Sequence, residues 1–265
     1  MKKIFLLFTT LLLILSSSCI STKRLTYLQQ EKNEQYTDSL ISLSQIRKPY
    51  RVQTNDLLSI RVKAIDQELV GMFNPIDDSN ASATTEEKAY FDGYRVDQRG
   101  EIKIPTLGKI KVIGFTLEEI EDLVKEKLYQ NYFKERANLF VTVKLPGIRY
   151  TTIGEIGSTG GQVFYKEEVS IMEAIANSGD ITMTGDRRNV TLIRQYPEGK
   201  RIHHIDLTKI DAINSPYYYI QPNDLIIINP LPQKSYGIGT DGFGTFTTLL
   251  GVLTTITIIS IRLNR

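Results

Sequence analysis

The chain has 265 residues, with 32 Lys and Arg against 30 Asp and Glu, a formal net charge of +2 and 41% hydrophobic residues. Charges that nearly cancel, without a long basic run, argue against a nucleic-acid partner. The single cysteine, Cys19, excludes a disulfide within the chain. The length admits one large domain or two small ones with appendages.

Lys2 and Lys3 precede a largely apolar run over residues 4–15. It is short for a bilayer span and right for the core of a signal peptide over residues 1–18. Ser16, Ser17 and Ser18 then lead to Cys19. Small residues before a lone Cys predict a lipobox: cleavage before Cys19 and acylation of its thiol and new amino group. Ser16 departs from the Leu usual at that position. Several acyl chains on Cys19 would give a stable membrane hold. Residues 19–48 read as a partly ordered linker behind the lipid.

Pro49 marks entry to the first globular region, 49–146. Thr54-Asn55-Asp56 is a turn signal, and Leu58, Ile60, Val62 and Ala64 alternate with polar residues as in a half-buried strand. Residues 74–88 read as a long polar loop. Asp97-Gln98-Arg99-Gly100 predicts a hairpin turn. Pro105 and Gly108 then separate two short strands. Thr116 and Glu119 form a capping box, opening a helix whose apolar face is Leu117, Ile120, Leu123, Val124 and Leu128. A strand over 139–145 closes the region.

A second region, 147–232, opens with a strand over 149–156 and a Gly-rich loop over 157–161. No Gly-Lys-Ser/Thr follows, so turn geometry explains the glycines better than phosphate binding does. Ser170 and Glu173 predict a second capping box, on a short helix ended by Gly179. Strands over 190–194, 202–205 and 225–228 follow. The last is launched by YYIQPNDLIII from Tyr218, which matches YRVQTNDLLSI from Tyr50 at Tyr, Gln, Asn, Asp, Leu and Ile. Both copies read as a turn that starts a buried strand.

Residues 243–261, FGTFTTLLGVLTTITIISI, carry no charge. As a helix they would extend ~28 Å, near the ~30 Å of a hydrocarbon core. Phe243, Phe246, Leu249, Leu250, Leu253 and Ile256 are bulky; Gly244, Thr247, Thr248, Gly251, Thr254 and Thr255 fall on a small, mildly polar stripe. Two arrangements fit this membrane helix over 243–263. One is a lone anchor with Arg262 and Arg265 on the cytoplasmic side. The other is a pore in which several copies pack small faces together.

Catalytic signatures are weak. Asp77/Asp78 and Glu118/Glu119 are adjacent acids, which point apart on regular elements, whereas a glycosidase pair needs carboxyls ~5–9.5 Å apart. His203 and His204 fall on a predicted strand and should face opposite ways, a poor start for a metal site. The reading is of no enzyme, no cofactor and no metal. Tyr27, Tyr36, Tyr150, Tyr165, Tyr217, Tyr218 and Tyr219 are candidates for stacking on sugars, although tyrosines in strands more often serve packing.

The order YRVQTNDLLSIRV, YRVDQRGEIKIPTLGKIKVIGFTLEEIEDLVKEKL, LFVTVKL resembles the export domain of outer-membrane polysaccharide export proteins, the capsule and exopolysaccharide translocons. TTIGEIGSTGGQVFYKEEVSIMEAIANSGD, with NVTLIR and YYIQPNDLIII, resembles their soluble-ligand-binding β-grasp module, SLBB. The similarity spans about residues 49–230 and implies an α+β fold: a strand-rich export domain, one β-grasp domain and a C-terminal amphipathic membrane helix. Asn55 and Asn223 stand where the family usually has Gly, and Thr159-Gly160-Gly161 where it prefers Pro-Gly. Asn tolerates the left-handed conformation, so both turns should survive. The resemblance implies an outer-membrane lipoprotein lying mostly in the periplasm. It would form a homo-oligomeric ring of about eight, with C-terminal helices as a porin-like barrel for capsular or exopolysaccharide. It also implies an inner-membrane co-polymerase of the tyrosine-autokinase type as partner. The alternative is a membrane-anchored glycan-binding or scaffolding lipoprotein that forms no pore.

Overall fold

Strand β1, Leu57–Lys63, buries Leu58, Ile60 and Val62 and turns its alternate residues outward, as its period-2 pattern dictates. The structure, a computed structural model, describes residues 20–30, 49–64, 68–74, 90–133, 138–235 and 242–263. In it β1 lies between β2, Tyr94–Arg95, and β5, Phe140–Lys144, pairing antiparallel with both. A hairpin of β3, Glu101–Ile104, and β4, Gly108–Lys111, adds Ile102, Ile104 and Ile110 to the same core. Gly100 closes the turn before β3 at φ +77°, the left-handed region expected of it.

Helix α2, Leu117–Asn131, covers this core with Ile120, Val124 and Leu128. It starts where the sequence predicts. Thr116 Oγ1 accepts from Glu119 N, and the Glu119 carboxylate accepts from Thr116 N at 2.8 Å. Such a cap stabilises the helix by about 1 kcal/mol. Asn74, expected in the polar loop, instead acts as one rung of a strand. Its side-chain amide accepts from Val62 N and donates to Val62 O, both at 2.8 Å. The remaining residues of that loop lie outside the described ones.

A second core gathers residues from Ile148 to Ile228. Its sheet runs β7-β6-β10-β8-β9. The strands are β6, Ile148–Gly154; β7, Gly160–Phe164; β8, Gly185–Tyr196; β9, Gly199–Ile205; and β10, Asp224–Pro230. Central β10 pairs parallel with β6 and antiparallel with β8, and buries Ile226 and Ile228 completely. Helix α3, Ile171–Asn177, packs on the sheet behind its Ser170–Glu173 capping box. Tyr150 pins it: its phenol donates to Ala174 O at 2.9 Å and accepts from Asn177 Nδ2 at 3.0 Å. Tyr150 is 2% exposed and serves the core, not a sugar surface.

The Gly-rich stretch departs in part from the loop expected there, because residues 160–164 form edge strand β7 against β6. The glycines permit backbone to meet backbone. Gly157 N donates to Asp180 O, and a Cβ on Gly157 would run into the Gly179 carbonyl. Close packing of chain on chain, rather than a phosphate cradle, accounts for them.

Residues 20–30, expected within the linker, form helix α1, Thr22–Leu25, and a segment laid against the second core. After β10 come α4, Pro232–Ser235, and α5, Gly242–Leu263. The architecture is thus a mixed α+β one. The C-terminal segment is helical, but among the described residues no helix is long and apolar enough to cross a membrane. The expected membrane span is therefore not supported. Nine of the residues over 243–261 are Gly, Thr or Ser, which thin the apolar content that a lone span requires.

Candidate functional site

The two copies of the repeated phrase, 168 positions apart in sequence, meet where the two cores adjoin. In each copy an Asn sits at positive φ, Asn55 at 70° and Asn223 at 66°. In each, the following Asp accepts from the backbone N–H three residues earlier: Gln53 N to Asp56 Oδ2 and Gln221 N to Asp224 Oδ2, both 2.7 Å. The Asn takes the left-handed turn that most side chains resist, and the Asp closes it. Both carboxyls are buried, Asp56 at 2% exposure and Asp224 at 0%.

The copies differ in what meets the carboxylate. Asp224 is clasped by Arg194 from β8, through Nε at 3.0 Å and Nη2 at 2.7 Å, and Nη2 also donates to Tyr219 O. Asp56 receives neutral donors: the Tyr50 phenol at 2.5 Å and the side-chain amide of Asn223 at 3.3 Å. That last bond joins one copy to the other. The charges of Asp224 and Arg194 both act on the Tyr50 phenol, in opposite senses, so the joint is one electrostatic unit.

Burial pushes the Asp56 carboxyl up, against the Gln53 N–H and the Tyr50 phenol, which pull it down. Burial also raises Asp224, with Arg194 opposing. The Tyr50 phenol is raised by burial and by the neighbouring Asp56, which keeps it a donor. A carboxyl raised in the folded state binds its proton more tightly there than in the unfolded chain. The stability it contributes is fully present below the ordinary carboxylate range and is lost as pH rises through the raised value. Asp56→Asn removes this dependence. Its urea midpoint should therefore gain on that of the wild type as pH rises from the ordinary carboxylate range, about pH 4, through the raised value. A difference that stays constant over that range would show that Asp56 is not raised.

Of the other sequence candidates, Tyr217 and Tyr219 touch this joint through Arg194, which lies 6.0 Å from the Tyr217 ring centroid and donates to Tyr219 O, and the rest lie apart from it. Tyr27 bonds to Asp180, and Tyr165 is exposed on the surface. Tyr217 stacks on His203 with centroids 3.6 Å apart, Tyr196 meets His203 edge-on, and Arg201 lies over Tyr196. Burial and the positive field of Arg194, Arg201 and His204 hold His203 below its usual value. His204 points elsewhere along β9, with Nδ1 3.3 Å from Thr191 Oγ1. Among the described residues no three potential metal ligands cluster. Tyr36, Asp77, Asp78 and Cys19 lie outside the described residues.

On α5 the stripe residues Gly244, Thr247, Thr248, Gly251, Thr254 and Thr255 are exposed. Thr248 Oγ1 donates to Gly244 O at 2.8 Å and Thr255 Oγ1 to Gly251 O at 2.7 Å; Thr247, Thr254 and Thr257 make similar bonds. The hydroxyls are satisfied by the helix's own carbonyls, so the stripe presents methyl groups and glycine backbone. Leu250 is exposed, and Leu253 and Ile256 are half-buried.

Sequence reasoning found the two turns as local motifs. It missed Arg194 as counter-ion and the Asn223–Asp56 bond. The available signal was Arg194 directly after the strand-forming run Val190-Thr191-Leu192-Ile193, at a position where alternation predicts burial.

Residues 44–145 match the family model described as polysaccharide biosynthesis/export protein. The chain is 30% identical over 155 residues to the EPS I polysaccharide export outer membrane protein EpsA of Ralstonia nicotianae, covering 55% of this chain and 39% of that protein. The protein of the same name in Ralstonia solanacearum is 28% identical over the same extent. The aligned part spans about two fifths of the length of these curated relatives.

Proposed function

We propose, from the match of residues 44–145 to the family model described as polysaccharide biosynthesis/export protein, that this chain is the outer-membrane component of an exopolysaccharide or capsule exporter. It carries out no reaction of its own. The observation that carries this reading is the family match over the unit that the first turn opens, joined to a likeness to two relatives named as outer-membrane export proteins. In the proposed assembly, lipidated protomers form a ring through which a hydrophilic glycan passes, driven by an inner-membrane co-polymerase. The joint between the twin turns holds the export unit and the β-grasp unit at one angle, as a closed ring of identical protomers requires. Helix α5 enters as a self-associating element, its Gly and Thr stripe allowing close approach between copies. It is not assigned a membrane crossing by itself.

Imaging the mature protein in mild detergent tests this. Closed rings support the channel. Monomers or small oligomers favour a glycan-binding lipoprotein without a pore, a reading for which the Tyr196–His203–Tyr217 cluster, with Arg201 beside it, is the relevant surface. Membrane attachment is tested separately. Cys19→Ala should move the protein from the outer-membrane fraction to the soluble periplasmic one, and unchanged fractionation would remove the lipoprotein role.

A further inference from the structure

We infer that the open end of the β8–β9 hairpin is a binding site for an acidic glycan, with Arg201 and His203 taking a carboxylate of the sugar chain beside the rings of Tyr196 and Tyr217. This deepens the proposed function and rests on its reading that the chain handles a polysaccharide. It adds the charge of that substrate and the residues that meet it. The register of the hairpin creates the site. Val190 pairs with Ile205, Leu192 with His203 and Arg194 with Arg201. These six residues share one face, since side chains two apart on a strand point the same way. Val190, Leu192 and Ile205 are buried in the second core. Towards the turn the same face stops being apolar and carries Arg194, Arg201 and His203 instead.

Two guanidinium groups directly opposite each other on paired strands repel, at a cost to the hairpin. Asp224 compensates only the inner one. It receives Arg194 Nε at 3.0 Å and Nη2 at 2.7 Å, and both side chains are out of solvent. Arg201 is exposed, and among the described residues no carboxylate forms an ion pair with it. Burial, then the charges of Arg194 on β8 and of Arg201 and His204 on β9, hold His203 below its usual value. The site therefore carries surplus positive charge, and an arriving anion relieves it. The aromatic rings fix the donors in place. Arg201 lies over Tyr196 at 4.9 Å. His203 stacks on Tyr217 with 17° between the planes, and its Nε2 lies 3.4 Å from the Tyr196 phenol oxygen. Tyr217 is in turn packed against the second core. A guanidinium held in this way offers parallel N–H groups to a carboxylate, and a protonated His203 adds another donor. Tyr196, His203 and Tyr217 are half-buried, so apolar ring surface stands next to the charge. That combination suits a sugar ring bearing a carboxylate, whose C–H groups need an apolar neighbour. A bare phosphate or a lipid headgroup would leave the ring surface unused. An anion bound beside His203 raises its proton affinity. Binding therefore takes up a proton and tightens as pH falls through the lowered value of the free site, where a sugar carboxylate is still ionised.

The test is calorimetric titration of the mature full-length protein, in mild non-ionic detergent, with oligogalacturonate, with its methyl ester and with glycerol phosphate. Oligogalacturonate should bind about tenfold more tightly than the uncharged methyl ester. Its affinity should rise several-fold from about pH 7.5 to about pH 5.5, with proton uptake read from the dependence of the heat on the buffer. His203→Gln should keep part of the affinity and lose the proton uptake. Arg201→Met changes an exposed side chain, so it should leave the urea transition in place and lose about tenfold in affinity. No binding of oligogalacturonate, equal binding of the methyl ester, or unchanged affinity in Arg201→Met overturns the inference. Glycerol phosphate binding as tightly as oligogalacturonate would make this a site for an anionic headgroup and overturns it as well. Deleting the chain from its host tests the export reading separately. Surface polysaccharide lost on deletion, with no binding of oligogalacturonate, removes the inference alone. Surface polysaccharide unchanged on deletion, with charge-selective binding intact, removes the export reading and leaves the site standing.

Discussion

Asp224→Ala lowers the unfolding free energy by about 3–5 kcal/mol, the cost of stranding one member of a buried ion pair. The Arg194 side chain is 4% exposed and that of Asp224 0%, so water cannot replace the lost carboxylate. The substitution also takes the acceptor from Gln221 N–H inside the turn. Urea unfolding followed by circular dichroism measures the loss. A fall of less than about 1 kcal/mol, the range of exposed pairs, would show that the pair is open to solvent. Pairing Arg194→Met with Asp224→Leu separates the causes. With no charge left buried, much of the loss should return. It should not return fully, because Tyr219 O and Gln221 N–H each lose a partner. The first copy of the turn answers differently: Asp56 is met by a phenol and an amide, so no stranded cation follows its replacement.

In the proposed assembly, Leu250→Asp with Leu253→Asp should abolish ring formation and surface polysaccharide while the two cores, to which neither residue belongs, stay folded. Leu250, Val252, Ile258 and Ile259 are 45–60% exposed along α5, an apolar surface that a protein in water tends to cover. Gly251→Leu is the sharper probe. A Cβ at Gly251 meets nothing within 4 Å beyond the helix's own backbone, so a side chain there starts into open space. It should nonetheless prevent close approach between copies and reduce ring yield. Particle counting in detergent reads the first effect, and surface-polysaccharide staining reads export. Normal rings and normal polysaccharide in the double Asp variant would take α5 out of the assembly.

Much of the local structure was legible because its causes are local. Both capping boxes lie within four residues of sequence, and each forms as its residues dictate. β1 and β10 follow from alternation, and the positive φ of Asn55 and Asn223 follows from the turn that each must make. Bounds shifted where pairing, not composition, decides a strand. β8 extends to twelve residues because β9 and β10 flank it, and Gly160–Phe164 becomes a strand only because β6 lies alongside. The tail shows the converse. Its uncharged run suggested a bilayer span, yet a helix rich in Gly and Thr lacks the apolar content that one requires.

The sequence by itself determined the turns, the caps, the two apolar patterns and the repeated phrase, since each depends on residues a few positions apart. Tertiary structure alone decided that Arg194 meets Asp224 across 30 positions, that Asn223 reaches Asp56 across 167, and that Tyr27 covers Arg187. Those pairings carry no period. They arise when burial brings polar groups together out of water, and each group then bonds to whichever partner the packing has placed beside it.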